Sequence, residues 1–393
     1  MARFLLAAGV SFYGDWLSTV AILVLVFRLT GSAVAPALYM LARVAPRVLG
    51  PTPGGMLADR FDPSRVAASC AVIQGVLTAT IVLAAQHGII WAIFVTVAFA
   101  QFVNAVSQPA YGAMLPRLTP PGNLGRANGL FNSLFASSIL VSPALGALAL
   151  PHTTPEVLIA IDAGTFIVAA SILLTLRMPP ARPGPAASNR VTAGGLHLVR
   201  RDPLLRSSAA AVLGNTAVIT ALQAVLVVAA TQHFGHDADV GWLYAAVGGG
   251  SLVGSLSFLR SNPRRIRRRD VIAFTAAELL AFSAFVFVVS LPIACLLLFG
   301  SALAGVAYQI LGSIALQQRT PVELLGRTTG IMRSAMYIGM LIGAIAALAL
   351  VQPLGWEATV LIVCAAAFVL LVVATVTGPR PALAQTPISD IPE

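Results

Sequence analysis

Lysine is absent from the 393-residue chain, and charge of either sign is scarce. Its 24 basic residues, all arginine, and its 14 acids make up only 10% of the sequence. Soluble domains carry about a quarter charged residues, so this chain cannot cover itself with a water-facing surface. That excludes an ordinary cytosolic enzyme, a disordered regulator and a nucleic-acid-binding domain. Cysteine is nearly as rare. Cys70, Cys295 and Cys364 lie dispersed in apolar runs without CxxC spacing, which argues against a disulfide framework and a thiolate metal site. No GxxxxGK[ST] loop is present to drive an ATP-powered pump within this chain. No nucleophile–base pair or His/Cys cluster suggests an enzyme, and no cofactor is expected. His233, His236, Asp237 and Asp239 fall in one connection, but nothing supplies a second shell for a metal.

What the chain has in abundance is apolar length: 58% hydrophobic residues and a mean hydropathy of +0.89. A membrane span needs about 20 apolar residues. Twelve segments of that kind can be read, at about 4–28, 34–57, 66–86, 89–109, 127–150, 156–177, 204–231, 238–259, 271–290, 292–314, 329–351 and 357–378. Segments this long and uniform satisfy their backbone in lipid as helices. The first superficially resembles a signal peptide, but it is too long for one and contains Asp15, so it reads as an uncleaved span. The expected fold class is an all-α membrane protein of twelve transmembrane helices in two six-helix bundles. A polar, Pro-rich stretch separates them, giving 1–178, a linker at 179–203, 204–378 and a tail at 379–393.

Arginine sets the expected orientation. Arg60 and Arg65, Arg117 and Arg126, the linker arginines, the Arg260–Arg269 cluster, and Arg319 and Arg327 fall in alternate connections. The intervening ones hold Glu156, Asp237, Asp239 and Glu357, with Arg28 at one border. The positive-inside rule then predicts a multi-pass protein of the cell (inner) membrane with both termini in the cytoplasm. The Arg264–Arg269 run reads as a topology and anionic-lipid contact rather than a nucleic-acid site.

The halves repeat. Pro120-x-x-x-Leu124-Gly125-Arg126-x-x-Gly129 recurs as Pro321-x-x-x-Leu325-Gly326-Arg327-x-x-Gly330 about half the chain later. The loop Gly55-Met56-Leu57-Ala58-Asp59-Arg60-Phe61-Asp62-Pro63-Ser64-Arg65 resembles the major facilitator signature G-x-L-A-D-R-x-G-R-R, with Asp62 and Pro63 in place of the usual Gly and basic residue. Gly14-Asp15-Trp16, Leu29-Thr30-Gly31-Ser32-Ala33, Asp162-Ala163-x-x-Phe166 and the repeated loops resemble the macrolide and enterobactin exporter-like branch. Ser138-x-x-x-Ser142-Pro143-x-x-Gly146-Ala147 is a degenerate match to the fifth-helix motif of exporters. The resemblance covers nearly the whole chain. It implies a binding site between the halves near the midplane, and a conformational latch at Gly55, Asp59, Arg60 and Arg65. Read physically, Gly54 and Gly55 allow close helix approach, and Asp59 precedes a helix N-terminus.

Asp15 lies halfway along the first span, where an ionised carboxylate costs at least about 2.5–3.5 kcal/mol. Ser11, Asp15 and Ser18 share one helix face, expected to line a cavity. Arg43 and Arg47, one turn apart on the second span, lie within reach in depth. Two readings stand: Asp15 alternates between an Arg-paired and a protonated form, or the pair merely fixes packing. Gln101, Asn104 and Gln108 form a second polar face on the fourth span. Asn215 and Gln223 on the seventh, with Tyr308 and Gln309 on the tenth, extend the set. The resemblance implies that the first, fourth, seventh and tenth helices line the central cavity; for any one of these amides, interhelical hydrogen bonding is the plainer reading. Asp162 and Glu278 read as scaffold pairs.

The expected function is proton-coupled efflux of a hydrophobic or amphiphilic small molecule by alternating access. The expected partners are that cargo, protons and a bilayer with anionic lipids, with no nucleic acid and the chain a monomer. The alternatives are a uniporter or importer of a small polar metabolite and, in another class, a non-transporting membrane sensor.

Overall fold

A computed structural model describes residues 1–120, 123–176, 178, 193–259, 266–320 and 322–376. Pro121, Pro321, most of the Pro-rich stretch, the first part of the arginine cluster and the tail from 377 lie outside these residues. Among the described residues the regular structure is helical throughout. The helices are α1 (Ala2–Thr30), α2 (Val34–Val44), α3 (Pro51–Arg60), α4 (Pro63–Gln86), α5 (Ile90–Arg117), α6 (Leu124–Ala149) and α7 (Pro155–Leu174) in the first half. The second half has α8 (Ala193–Arg201), α9 (Pro203–Ala229), α10 (Val240–Leu259), α11 (Arg268–Phe285), α12 (Leu291–Arg319) and α13 (Val322–Val376).

Among the described residues, eight helices are long and apolar enough by themselves to cross a membrane. The second span is made in two pieces. Pro46, Pro51 and Pro53 interrupt the hydrogen-bond ladder, so α2 passes through a 3-10 turn at Ala45–Val48 into α3. The last two spans run together as α13, whose break is Gly355 at φ 82°, a left-handed conformation that glycine adopts without steric cost. Counting α2 with α3 once and α13 twice, and setting aside the short α8, the chain makes twelve traverses. Part of the stretch expected as linker is therefore helical, since α8 occupies 193–201.

Two buried-helix entries repeat across the halves. The Asp62 carboxylate accepts from the Ser64 N–H at 2.8 Å with Pro63 at the first helical position of α4. Asp202 accepts from Leu204 N–H at 2.8 Å and Leu205 N–H at 3.1 Å, with Pro203 opening α9. Each carboxylate satisfies orphan donors at its helix start. Burial pushes the Asp62 carboxyl up, but bonds from the Ser64 hydroxyl, Ser64 N–H and Arg65 N–H outweigh it and hold it below the usual carboxylate range. The cap therefore stabilises above the unfolded-state value and fades as pH falls through the folded one. Asp62→Ala is expected to cost about 1 kcal/mol. The check is a lower thermal midpoint at neutral pH and no difference from the parent in acid.

Packing separates the two ends of the molecule. At one end a single apolar core draws Val20–Val26 of α1 and Tyr39 and Met40 of α2 together with Ala217–Ala230 of α9 and its neighbour, Leu243 and Tyr244 of α10, and Trp356 of α13. At the other end the core splits. Phe4, Ala58, Val66, Met114 and Leu173 cluster within the first half, while Leu204, Val271, Leu311 and Leu371 cluster within the second. The halves meet where α6 packs on α10 and where α2 packs on α9 and α13. One end is shut and the other is parted.

Candidate functional site

The parted end holds a vestibule of about 840 Å³ between the halves. Its walls are the C-terminal part of α5 from Gln108 to Pro116, the start of α6 at Asn128–Asn132, and Gly330, Arg333, Ser334 and Tyr337 of α13. A second pocket of about 370 Å³ shares Arg333 and Tyr337 with it and is otherwise lined by α9, α12 and more of α13, including Thr216, Tyr308, Gln309 and Met336. A third groove, about 530 Å³ and mostly apolar, runs along α3, α4 and α5 with Asp62 and Arg65 at its edge.

Beyond the vestibule, inside the first half, is a cavity of only about 20 Å³, lined by Asp15, Arg43, Gln74, Thr78, Gln101 and Asp162 among others. It has room for a single water molecule. Arg43 reaches Asp15 Oδ2 from its Nη2 at 3.1 Å. Its Nη1 donates to the Tyr39 hydroxyl at 3.0 Å and to Thr19 Oγ1, and the guanidinium lies 5.5 Å from the Trp16 ring centroid. The arginine side chain is 8% exposed and that of Asp15 21%. Arg47 turns away from Asp15. Its Nε and Nη2 donate to Gln101 Oε1 at 2.9 and 2.5 Å.

Asp162 of α7 is buried, and Thr165 Oγ1 donates to its Oδ1 at 3.1 Å. It presses against α1 at Gly14, where an added Cβ would strike Asp162 Oδ1 and Thr165 Oγ1. Two carboxylates thus line the same small cavity with one arginine between helices. Sequence reasoning set Asp162 aside as scaffold. The available signal was glycine directly before Asp15, which lets α7 approach at the depth of that carboxylate.

The other expected cavity residues divide. Gln108 lines the vestibule, whereas Asn104 donates to Gln74 Oε1 at 3.1 Å and Ser18 is buried beside Asp15. Ser11 is half-buried on α1. Asn215 bonds Tyr308 at 2.7 Å inside the second half, and the Gln223 carbonyl accepts from Tyr244 at 3.1 Å. Of the loop residues, Gly54 sits against the Val106 backbone, while Gly55 faces open space. Asp59, Arg60 and Arg65 are exposed, and none takes part in an ion pair among the described residues. The side chain of Arg327 lies outside the described residues.

A family model described as the Major Facilitator Superfamily matches residues 4–315 and 264–392. The chain belongs to the major facilitator superfamily. This transporter is 26% identical over 390 residues to the MFS-type transporter YfiS of Bacillus subtilis, covering 94% of this chain and 91% of that one. It is 25% identical over 376 residues to the multidrug efflux pump Tap of Mycolicibacterium fortuitum, covering 91% and 90%. Macrolide efflux protein A of Enterococcus faecalis matches 38% of this chain and 46% of its own length at 28% identity. Among solved structures, the fold is shared with the nucleoside transporter NupG, at a TM-score of 0.72, 12% identity and coverage of 95% and 97%. It is also shared with a bacterial homologue of the human lysosomal transporter Spinster, at 0.69, 16% and 95% of both chains. The transporter is thus a multi-pass membrane protein of twelve helices in two related bundles, and not an enzyme.

At the shut end Arg28 of α1 grips Asp237, in the connection between α9 and α10, through Nη2 to Oδ1 at 2.8 Å and Nε to Oδ2. This is the one ion pair among the described residues that ties the first half to the second. Bidentate geometry makes it a directional clasp, though its exposure keeps its energy small. Arg28→Ala is expected to let the shut end open more often. A cysteine placed at Ala221, 1% exposed in the shared core, should react several-fold faster with a maleimide in that variant. The exchanged pair Arg28→Asp with Asp237→Arg should restore the slow rate.

Proposed function

We propose that this transporter expels hydrophobic or amphiphilic small molecules, driven by the inward flow of protons. The observation that carries this reading is the placement of two carboxylates, Asp15 and Asp162, in one intramembrane cavity with one arginine, Arg43. With both acids ionised, Arg43 is the one cation lining the cavity and Arg47, held on Gln101, offsets the second charge only from a distance, so low-dielectric surroundings disfavour the doubly ionised form. Binding one proton brings the cluster to neutrality. A site that is neutral with a proton and charged without one gives each form a different preference between a shut and an opened half.

The vestibule suits an amphiphile. Gln108, Asn132, Ser334 and Tyr337 offer hydrogen bonds among apolar and aromatic walls, and Arg333 supplies a cation. The names of the Tap and macrolide efflux relatives support an efflux direction. In this reading the parted end, which carries the arginine-rich connections, faces the cytoplasm together with both termini. The units are 1–178 and 204–378, joined by a linker at 179–203 and followed by a tail at 379–393. Gly55, Asp59, Arg60 and Arg65 form the latch that engages when that end closes. Anionic lipid neutralises the cytoplasmic arginines, and the chain works as a monomer in the cell membrane.

The test is expression in a drug-hypersusceptible bacterial strain, with a macrolide and ethidium as probes. The transporter should raise resistance and speed ethidium loss from energised cells, and a protonophore should abolish that loss. Asp15→Asn should remove the proton-driven component. Efflux whose pH dependence survives Asp15→Asn would defeat the coupling role; accumulation rather than loss of probe would defeat the direction.

A further inference from the structure

The charges around the vestibule carry information about its cargo. Arg333 of α13 is exposed, and it lines both the vestibule and the second-half pocket. Among the described residues it is the one charged side chain lining either cavity, and no carboxylate lines them. Arg333 takes part in no ion pair among those residues. Its guanidinium, a planar fork of five N–H donors, is therefore not committed to an acid of the protein.

The neighbouring charges have the same sign. Arg117 ends α5 and Arg126 lies in the first turn of α6, the two first-half helices that wall the vestibule. Neither takes part in an ion pair among the described residues. Tyr337, one turn along α13 from Arg333, lies within electrostatic reach of Arg47, whose hydrogen-bond partner is the neutral Gln101. The two acids of the first half, Asp15 and Asp162, line a separate cavity that shares no wall residue with the vestibule. A cleft lined by one sign of charge between low-dielectric walls focuses its field and gathers ions of the other sign. The remaining lining suits an apolar body, since it includes Tyr111, Phe131 and Leu115.

We propose that the preferred cargo is an amphiphilic anion, an apolar body bearing a carboxylate, sulfonate or phosphate that Arg333 binds. This rests on the efflux reading above, in which the vestibule is the cargo site, and narrows its substrate class. The guanidinium fork pairs with two oxygens of such a head group, and the body lies along the aromatic and aliphatic wall. A cation of the same size meets repulsion from Arg333 and finds no acid on either cavity wall. The membrane potential acts in the same direction. An interior-negative potential expels an anion and holds back a cation, so an exporter that selects anions works with that field.

The experiment is equilibrium binding to the full-length protein in nanodiscs of zwitterionic lipid, with empty discs as the blank. The probes are anilinonaphthalene sulfonate and phenylnaphthylamine, fluorophores that share one ring system and differ by the sulfonate. The parent should bind the anion about fivefold more tightly than the neutral probe, the scale of one favourable exposed ion pair. Arg333→Gln should remove that preference while leaving the neutral probe's affinity unchanged, and Arg333→Lys should keep most of it. Ethidium should displace the sulfonate less readily from the parent than from Arg333→Glu. Rising salt should weaken binding of the anion to the parent and spare the neutral probe, a check that needs no variant. Equal affinity for the two probes in the parent, or a preference that survives Arg333→Gln, would overturn the proposal. Binding requires no proton gradient, and Asp15→Asn should bind the sulfonate as the parent does. An inactive efflux assay with the anion preference intact would therefore count against the coupling alone, and a lost preference with active efflux against the cargo class alone.

Discussion

Arg43→Met is expected to destabilise the transporter by about 3–5 kcal/mol, the scale set by leaving a buried charge without its partner, and to abolish transport. Arg43 gives one hydrogen bond each to Asp15, Tyr39 and Thr19 and stacks near Trp16. Its removal leaves two carboxylates facing one cavity with no cation in contact, because Arg47 is committed to Gln101. The double variant Asp15→Asn with Arg43→Met removes one acid together with the base. It should regain most of the lost stability, since an asparagine amide can still donate and accept where the ion pair stood. Transport should not return, because the proton-accepting group has gone. The check is a thermal unfolding series on the four members of the cycle, beside ethidium efflux from cells carrying the same variants. A coupling energy near zero between the two positions would mean that the pair contributes neither packing nor charge balance. The same cycle with Asp162→Asn distinguishes the two acids. If they share the site, Asp162→Asn with Arg43→Met should also be less damaging than Arg43→Met alone.

Apolar length made the twelve traverses readable in advance, and even the second span, which proline divides into α2 and α3, keeps one apolar run across the break. The pairing of Asp15 with Arg43 was accessible for a similar reason. Both are costly in lipid, and depth along antiparallel helices can be counted from the sequence. What could not be read was azimuth. Asp162 packs against Gly14 of α1 and Glu278 against Gly305 of α12, and whether a residue on α7 or α11 points at α1, at α12 or at lipid depends on how whole helices rotate during packing. Arg47 illustrates the same limit, since it shares a helix and a depth with Arg43 yet bonds Gln101 on α5. Small residues carried part of the missing information. Gly14 opposite Asp162 and Gly305 opposite Glu278 each mark where an acid on another helix must fit, but a glycine names its neighbour only after the fold is known.

Glycine also determines the second large effect. Gly248→Val is expected to reduce efflux at least tenfold while the protein still inserts into the membrane. Gly241 and Gly248 lie two turns apart on α10 and face α6 across the seam between the halves. A Cβ at Gly248 would stand 2.5 Å from Leu140 Cα and from the Ile139 carbonyl carbon, and one at Gly241 would stand 2.7 Å from Ala147 Cβ. Carbon atoms settle about 3.5–4.0 Å apart, so valine must push the backbones apart by about 1 Å. Relief by rotamer change is unavailable because the obstacle is main chain. The opposing helix is already small there, with Ser138 and Ser142 buried at 0% and 1% exposure, and it has nothing left to trim. In a membrane this close approach is itself the main attraction between helices, so the substitution weakens the seam as well as wedging it. Each half keeps its own core at the parted end, so insertion and much of the unfolding midpoint should survive. Gly250→Val supplies the contrast. Its Cβ would meet the Phe299 backbone of α12 within the second half, so that variant should lose stability and expression before transport can be measured. Gly300→Ala, with nothing within 4 Å of the added atom, should be silent in both assays. If Gly248→Val transports normally, the α6–α10 seam does not constrain the motion of one half against the other.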